Sequence, residues 1–187
     1  MITPYRINLD GKPSMNNNVL SIYKENTVAE IRADLDKNRA PLVAVCQNLS
    51  SDFNKASVIR ANNAFLGQEV YIVGRHKYNR KGAVGTYLYE HVYHASDMKE
   101  VIDFLHTKKY MVYAVDNIES YNPKSLWDID FPEKSAFVYG EEQRGLSEDT
   151  IKMCDDMVYV QQYGSVRSLN VAQCAAVISY EYRRRFH

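Results

Sequence analysis

The segment SAFVYGEEQRGLSED, residues 135–149, joins an apolar run to a helical pattern through two closely spaced glycines. Gly140 and Gly145 are two of only eight glycines in the chain, and they enclose the polar run Glu-Glu-Gln-Arg. Because glycine adopts backbone conformations that other residues resist, the spacing predicts a tight turn directly after a strand. Main-chain groups exposed at such a turn can contact a ligand. The alternative is a plain strand-to-helix loop with its acidic side chains in water.

On both sides of this turn, short apolar runs alternate with helical patterns. The predicted strands span 42–48, 69–74, 110–116, 135–140 and 157–162, and the predicted helices 54–67, 96–109, 146–154 and 170–185, with one more between Thr27 and Pro41. Near-continuous apolar strands separated by helices predict an α/β fold, with a mostly parallel sheet and helices on both faces. Such sheets bind ligands beyond the carboxyl ends of their strands, which is where the 140–145 turn lies.

Local signals place several boundaries. Thr27 and Glu30 have the spacing of a capping box, and Asp97 with Glu100 marks another helix start. Gly67 is a candidate helix C-cap. The polar segment 1–25, which contains the asparagine run at 16–18, is predicted to be an irregular arm, and EHVYHA at 90–95 is predicted to be extended.

Composition and length are those of one soluble globular domain. The chain has 187 residues, of which 45% are hydrophobic and 25% charged. We expect an N-terminal arm and first helix over 1–40 and a larger unit over 41–187, together compact. An apolar run long enough to span a bilayer is missing, and so is a secretory signal, so we expect a cytoplasmic protein that does not bind membranes.

Familiar catalytic and metal-binding motifs are absent. The cysteines Cys46, Cys154 and Cys174 lack CxxC spacing, so we expect reduced, partly buried thiols; a catalytic cysteine is the less favoured alternative. His91 and His94 lie three residues apart in an extended segment, so no metal site is predicted. The chain contains no GxxxxGK[ST], GxGxxG, HExxH or GxSxG pattern, which argues against the common nucleotide and hydrolase sites.

Charge is balanced overall but unevenly distributed. The chain carries 23 basic and 23 acidic residues, which counts mildly against a nucleic-acid-binding protein. Two short segments, RHKYNRKG at 75–82 and YRRRFH at 182–187, are nevertheless basic with aromatic residues interleaved. They are either solvated surface or nucleic-acid contacts.

A second segment, NKASVIRANNAF at 54–65, contains two polar residues of interest, Asn54 and Arg60. Asn54 suits a helix N-cap. Arg60 is enclosed by apolar neighbours, so we expect it to be partly buried and to need an anionic or carbonyl partner. A salt bridge to a nearby acid is the structural alternative to a functional role.

A third segment, GSVRSLNVAQ at 164–173, leads into the last helix. Ser168 suits its N-cap. Asn170 disfavours the helix unless its side-chain amide is used, which makes it the less ordinary residue of the two.

Taken in order, NKASVIRANNAF, FVYGEEQRGLS and VRSLNVAQCAAVISYE resemble the three motifs of the SpoU (TrmH-like) branch of the SPOUT methyltransferases, over roughly residues 42–185. The resemblance implies methyl transfer from S-adenosylmethionine, leaving S-adenosylhomocysteine, to a ribose 2′-hydroxyl of tRNA or rRNA. It also implies a homodimer and a deep C-terminal trefoil knot, a feature that periodicity never predicts.

By position, the resemblance assigns roles to individual residues. The catalytic set is Arg60, Asn54, Glu142, Ser168 and Asn170, and the cofactor contacts are Val115, Gly140, Val160, Ser168 and Leu169. Two departures from the family pattern are Gln161–Gln162, where a proline is common, and Leu66, which separates Phe65 from Gly67.

The resemblance also suggests how RNA is held. The basic segments at 75–82 and 183–187 are expected to contact RNA, with Tyr78 stacking on unpaired bases. Two other functions stay open at this point. One is a non-catalytic, knotted RNA-binding protein, and the other is a flavodoxin-like enzyme that binds a phosphorylated small molecule.

Overall fold

The elements of the fold are taken from a computed structural model, which describes residues 1–13, 18–47, 49–75 and 77–186. In chain order they are β1 (Thr3–Pro4), α1 (Val28–Leu35), β2 (Ala40–Gln47), α2 (Asp52–Ala64), β3 (Gly67–Val73), α3 (Arg80–Ala83), β4 (Val92–Ala95), α4 (Met98–Thr107), β5 (Met111–Val115), β6 (Lys124–Ser125), β7 (Ser135–Tyr139), α5 (Glu148–Met153), β8 (Asp156–Tyr159) and α6 (Val171–Phe186).

The strands form one eight-stranded sheet in the order β1-β4-β3-β2-β7-β5-β8-β6. All neighbouring pairs are parallel except β1 and β4. In the middle of the sheet, β7 lies between β2 and β5, with Ala136 in register with both Val43 and Val112. The predicted α/β fold with a mostly parallel sheet is therefore confirmed.

Helices cover both faces, as predicted, because alternate residues of each strand point to opposite sides. Ala44 and Cys46 of β2 belong to the core that also contains residues of α2 and α6. Val43 and Val45, from the same strand, belong to the core on the other face, which contains residues of α4 and α5. After β8, at one side of the sheet, the chain returns over the carboxyl ends of the strands to α6, which packs beside α2.

The first predicted helix boundary is confirmed in detail. Thr27 Oγ1 accepts a hydrogen bond from the backbone of Glu30, and the Glu30 carboxylate accepts one from the backbone of Thr27 at 2.7 Å. Asp97 caps α4 by accepting from the backbone of Lys99.

Two other boundaries differ from the prediction. Gly67 is not a helix cap: it begins β3, and the left-handed residue after α2 is Leu66, with φ of 51°. A Cβ atom on Gly67 would lie 2.2 Å from Asn62 Oδ1, so packing explains this glycine. Pro41 does not end the preceding helix but lies inside β2, where the register with β3 is irregular.

The N-terminal segment is less irregular than predicted. Thr3 and Pro4 add β1 to the sheet edge, and a short 3-10 turn forms at Ser21–Tyr23. Asn16 and Asn17 of the asparagine run lie outside the described residues. Within the described ranges, no helix combines the length and apolarity needed to cross a bilayer.

A buried ion pair joins the amino ends of three parallel strands. Arg39, just before β2, donates to Glu90 Oε1 at 3.0 Å and to the Gly67 carbonyl at 2.9 Å. Asn62 and Asn63 also donate to the Glu90 carboxylate, each at 2.8 Å. Both charged side chains are almost fully buried, so this cluster fixes the end of the sheet opposite the candidate site.

Candidate active site

The turn after β7 is closed on itself by its two glycines. Backbone hydrogen bonds run both ways between Glu141 and Gly145, at 3.1 and 2.7 Å. A Cβ atom on Gly140 would lie 2.3 Å from the Gly145 carbonyl carbon, and Gly145 itself has φ of 68°. Only glycine tolerates either situation, because another residue would clash at the first position and be strained at the second. The predicted tight turn is present at the carboxyl end of β7.

A cavity of about 590 Å³ lies between this turn and the loop that precedes α6. Its walls come from the carboxyl ends of β5, β7 and β8 and from the start of α6. The lining includes all five positions predicted to contact a cofactor, Val115, Gly140, Val160, Ser168 and Leu169. Segments 140–145 and 167–171, which are far apart in sequence, thus enclose one concave site of the size typical for small ligands.

Three of the predicted catalytic side chains form one hydrogen-bonded chain. Asn54 Nδ2 donates to Glu142 Oε1 at 2.7 Å, and Asn54 Oδ1 accepts from Asn170 Nδ2 at 3.1 Å. Asn170 Oδ1 in turn accepts from the backbone of Ala172 at 2.9 Å. The three motifs therefore meet in space: the start of α2, the turn after β7 and the start of α6.

The carboxylate of Glu142 is held in its ionised form. Partial burial opposes ionisation, but the hydrogen bonds from Asn54 and from the backbone and hydroxyl of Ser50 outweigh it and lower the pKa of Glu142. A carboxylate with a lowered pKa is a weak base. Its arrangement suits positioning of Asn54 better than proton abstraction.

The helix caps differ from those expected. Ser51, not Asn54, caps α2, by accepting from the backbone of Asn54. At α6 the backbone groups are capped by Asn170 rather than Ser168. Both asparagines are thus oriented by contacts between the motifs. Both the nitrogen and the oxygen of the Asn170 side-chain amide form hydrogen bonds, which explains an asparagine at the start of an apolar helix.

Arg60 is placed differently from the prediction. It is exposed on the outer face of α2, not partly buried, and no ion pair or hydrogen bond of its guanidinium is found within the described residues. It also does not line the cavity. Residues Lys55, Val58 and Ile59 form the buried face of this helix, so the apolar neighbours of Arg60 in sequence point away from it.

Residues 41–180 match the SpoU rRNA Methylase family. The chain belongs to this family. The match spans the three motifs that the Glu142–Asn54–Asn170 hydrogen bonds join, and it favours the catalytic interpretation over the non-catalytic alternative.

Named relatives agree with this assignment to the SpoU family. The chain is 26% identical over 161 residues to the tRNA (guanosine(18)-2′-O)-methyltransferase of Thermus thermophilus, covering 81% of this chain and 78% of that protein. The fold is similar to the Aquifex aeolicus TrmH/SpoU tRNA modifying enzyme, with a TM-score of 0.74, 19% identity and coverage of 84% and 81%.

A second solved structure is the SpoU methyltransferase AviRb from Streptomyces viridochromogenes in complex with AdoMet. The TM-score is 0.69 at 22% identity, and the match covers 81% of this chain. This chain spans 60% of the length of AviRb.

Several lining residues of this SpoU site were not predicted from the sequence. They are Asp116, Asn117, Tyr139, Gln162, Arg167 and Cys174, which lie at strand ends, in the loop before α6 or inside α6. The carboxyl-end rule that located Val115 and Val160 also covers Asp116 and Tyr139, so a wider search around each strand end finds these two. Gln162 is notable because its Oε1 is buried without a hydrogen-bond partner among the described residues.

The three cysteines are free thiols, with Cys46 buried and Cys154 and Cys174 partly buried, as expected. Burial raises the pKa of Cys46, Cys154 and Cys174 to about 12 in each case, so all three are protonated thiols near neutral pH. His91 contacts Arg32 and Asp36, at 2.6 and 2.8 Å, and His94 contacts the Gly74 carbonyl. Among the residues that the structure covers, no cluster of potential metal ligands is found.

Arginines of the C-terminal basic segment form hydrogen bonds to other parts of the fold. Arg183 donates to the carbonyl of Leu66 at 2.9 Å, and Arg185 donates to the carbonyls of Leu126 and Ile129. Arg184 is exposed but is paired with Glu181. These bonds leave fewer guanidinium donors for RNA, so the expectation that 183–187 contacts RNA stays a prediction that Arg183 and Arg185 do not favour. His187 lies outside the described residues.

The basic segment 75–82 remains on the surface. Arg75, Lys77, Arg80 and Lys81 are exposed, and His76 lies outside the described residues. Tyr78 is not available for base stacking, because its ring packs edge-on against Tyr5 and Tyr87, at centroid distances of 5.2 and 6.3 Å.

Proposed function

We propose that this protein is an S-adenosylmethionine-dependent methyltransferase that modifies a ribose 2′-hydroxyl of tRNA or rRNA. The observation that carries the proposal is the hydrogen-bonded chain Glu142–Asn54–Asn170, which joins the first SpoU motif to the two motifs that line the cavity. The relatives named as tRNA 2′-O-methyltransferases support the substrate class.

The residues present fit the cofactor. Val115, Val160 and Leu169 offer apolar contacts, and the glycines of the turn bring main-chain groups to the cavity wall. The buried, unpartnered Oε1 of Gln162 is an acceptor in need of a donor, which an amino group of the cofactor would supply. S-adenosylmethionine supplies an activated methyl group when bound. The glutamines that replace the family proline are therefore compatible with the site.

The chain itself has to align the ribose with the methyl donor and stabilise the reacting arrangement. Alignment contributes several kcal/mol to rate enhancement, on the order of 7 to 11 in favourable cases. We propose that Glu142, Asn54 and Asn170 fix the wall against which the ribose is held, with Ser168 beside them in the lining.

Arg60 is proposed as the group that holds the RNA. A guanidinium stays protonated at accessible pH, which argues against a role as general base. Its exposed position leaves its donors available for the phosphate next to the target ribose, and the planar fork suits bidentate contact. Six residues along α2 place Arg60 about 9 Å further along the axis than Asn54. Substrate would thus extend from the cavity mouth along α2.

Homodimer formation is a further part of the proposal. The outer face of α6 carries Val177 and Tyr180, which are 41% and 60% exposed, and α2 beside it carries exposed Phe53. Val177 and Tyr180 are three positions apart in α6 and therefore share one exposed face, which a second copy can cover.

We also propose a deep C-terminal knot, a domain boundary between residues 40 and 41, and a cytoplasmic location. The return of the chain from β8 across the strand ends to α6 supports a deep C-terminal knot. The family match beginning at residue 41 supports a division between an N-terminal arm and first helix at 1–40 and the methyltransferase domain at 41–187. A cytoplasmic location, and RNA rather than DNA or membrane as partner, agree with this activity.

Methyl transfer is tested by incubating the protein with methyl-labelled S-adenosylmethionine and total cellular RNA. The proposal predicts label in tRNA or rRNA at a nucleotide whose 3′ phosphodiester bond resists alkaline hydrolysis. Label on a base, or no label in any RNA fraction under conditions where the cofactor binds, would contradict it.

A further inference from the structure

A second cleft lies on the opposite side of the 140–145 turn from the cofactor cavity. Its volume is about 540 Å³, and it shares Glu141, Gln143, Arg144 and Gly145 with that cavity. The remaining walls include Arg75, from the loop after β3, and Ser50, from the loop before α2. The turn therefore separates the cavity proposed for the methyl donor from a polar cleft.

Two guanidinium groups, those of Arg75 and Arg144, line the cleft. Arg75 and Arg144 are both exposed, and neither guanidinium has an ion pair or hydrogen bond within the described residues. The carboxylate of Glu141, the acidic group in the lining, accepts a hydrogen bond from the backbone of Arg144 at 3.0 Å. Exposed arginines without acidic partners can bind phosphate through several charge-assisted hydrogen bonds.

The loop that carries Arg75 is fixed by a buried charge. Lys55 Nζ, with its side chain only 1% exposed, donates to the carbonyl of Lys77 at 2.6 Å and to that of Arg75 at 3.4 Å. Asp52 balances the ammonium at 2.9 Å. Because Lys55 follows Asn54 directly, one turn of α2 holds both the motif contact to Glu142 and the backbone of the basic loop.

The opposite wall of the cleft is equally constrained. Gln47 donates to Ser147 Oγ at 3.0 Å and to Thr150 Oγ1 at 2.8 Å, and it accepts from the backbone of Ser147 at 3.2 Å. The polar side chains behind the two arginines are therefore already paired. An incoming anion would meet the guanidiniums first.

We infer that this cleft binds a backbone phosphate of the RNA substrate, with Arg75 and Arg144 as its two cationic walls. The inference rests on the proposed function, since it places a phosphodiester of the same strand across the turn from the cofactor cavity. It assigns Arg144, which lies within the second motif, to RNA rather than to the cofactor, and it separates Arg75 from the rest of the basic segment.

The test measures equilibrium binding of unfractionated tRNA and of rRNA over a range of salt concentrations. The variants are Arg75→Ala, Arg144→Ala and their combination. A charge-matched control is Lys99→Ala with Lys152→Ala, because these lysines lie on α4 and α5 and pair only within their own helices. Binding of S-adenosylhomocysteine is measured for every variant by calorimetry.

The inference predicts at least tenfold weaker RNA binding by the double arginine variant at physiological salt. Its salt slope should fall by about 0.7, since one phosphate contact to a single strand contributes about that much. The control should stay within twofold of the wild type, and binding of S-adenosylhomocysteine should be unchanged in the control and in Arg75→Ala, because Arg75 does not line the cofactor cavity. Unchanged RNA affinity, an equal loss in the control, or a loss confined to S-adenosylhomocysteine binding by Arg144→Ala would each overturn the inference.

RNA binding is measured without catalysis, so the outcome is separate from that of the proposed function. If the wild type binds RNA through this cleft but transfers no methyl group, the proposed function fails and the cleft stands. If the wild type methylates RNA and the double variant binds it normally, the cleft alone is wrong.

Discussion

The side-chain amide of Asn54 donates to Oε1 of Glu142 at 2.7 Å, although the two residues are 88 positions apart in the chain. The contact joins the first turn of α2 to the turn after β7. Asn170 extends it to the start of α6. This is the point at which three separate sequence motifs become one site.

A double-mutant cycle tests the link between Asn54 and Glu142. We expect Asn54→Ala and Glu142→Ala each to lower kcat/KM for RNA by about 100-fold, because small displacements of a positioning wall cost about that much. The double variant should lose little more than either single variant, giving a coupling of about 1–3 kcal/mol. Additive losses would show that the two residues act independently.

Replacing Arg60 separates catalysis from cofactor binding. Arg60 does not line the cavity, so Arg60→Ala should abolish methyl transfer and leave the affinity for S-adenosylhomocysteine within about twofold of the wild type, a change of at most about 0.4 kcal/mol. Arg60→Lys keeps the charge but loses the bidentate fork, and it should also lose most activity. If the lysine variant retains most activity, the phosphate-clamp role is wrong.

The buried cluster around Glu90 should carry a large share of the stability. Glu90→Ala leaves the Arg39 guanidinium without its buried partner, and breaking a buried pair costs about 3–5 kcal/mol. Denaturation in guanidinium chloride measures the change. The exposed residue Glu119 provides a control, since Glu119→Ala should change stability by less than about 0.5 kcal/mol. A cost below about 1 kcal/mol for Glu90→Ala would contradict the assignment.

Thiol reactivity reports the burial of the three cysteines. Burial raises each thiol pKa to about 12, so only about one thiol in 10⁴ is ionised at pH 8, against about a quarter for an unperturbed thiol with a pKa of about 8.5. Alkylation of the folded protein should therefore be slow and should accelerate about tenfold per pH unit above 8. Fast modification of any of the three in the native protein at pH 8 would contradict this picture.

The sheet and most helices could be predicted from the sequence because their signals are local. Apolar runs and capping residues such as Thr27 located them within a few residues. What could not be predicted depends on distant neighbours. Gly67 was predicted to be a helix C-cap, but it is glycine because Asn62 leaves no room for a side chain there. Leu66 adopts the left-handed backbone conformation after the helix instead.

The site shows the same division between local and distant effects. The five positions expected from strand ends and from the resemblance all line the cavity, and their contact with a cofactor stays a prediction. The orientations of the side chains could not be predicted from the sequence. Arg60 lies among apolar residues in sequence but on the outer face of α2, and Arg183 and Arg185 reach carbonyls that only the tertiary fold brings near.

We propose that the turn at 140–145 and the segment 167–171 enclose the site for S-adenosylmethionine. Calorimetry of S-adenosylmethionine binding to the wild type, Gly140→Ala and Gly164→Ala tests it most directly. A Cβ atom at Gly140 would lie 2.3 Å from backbone, whereas one at Gly164 meets nothing within 4 Å. We predict one molecule bound per chain by the wild type and by Gly164→Ala, with binding lost in a folded Gly140→Ala variant. No binding to the wild type, or undiminished binding by Gly140→Ala, would contradict the account.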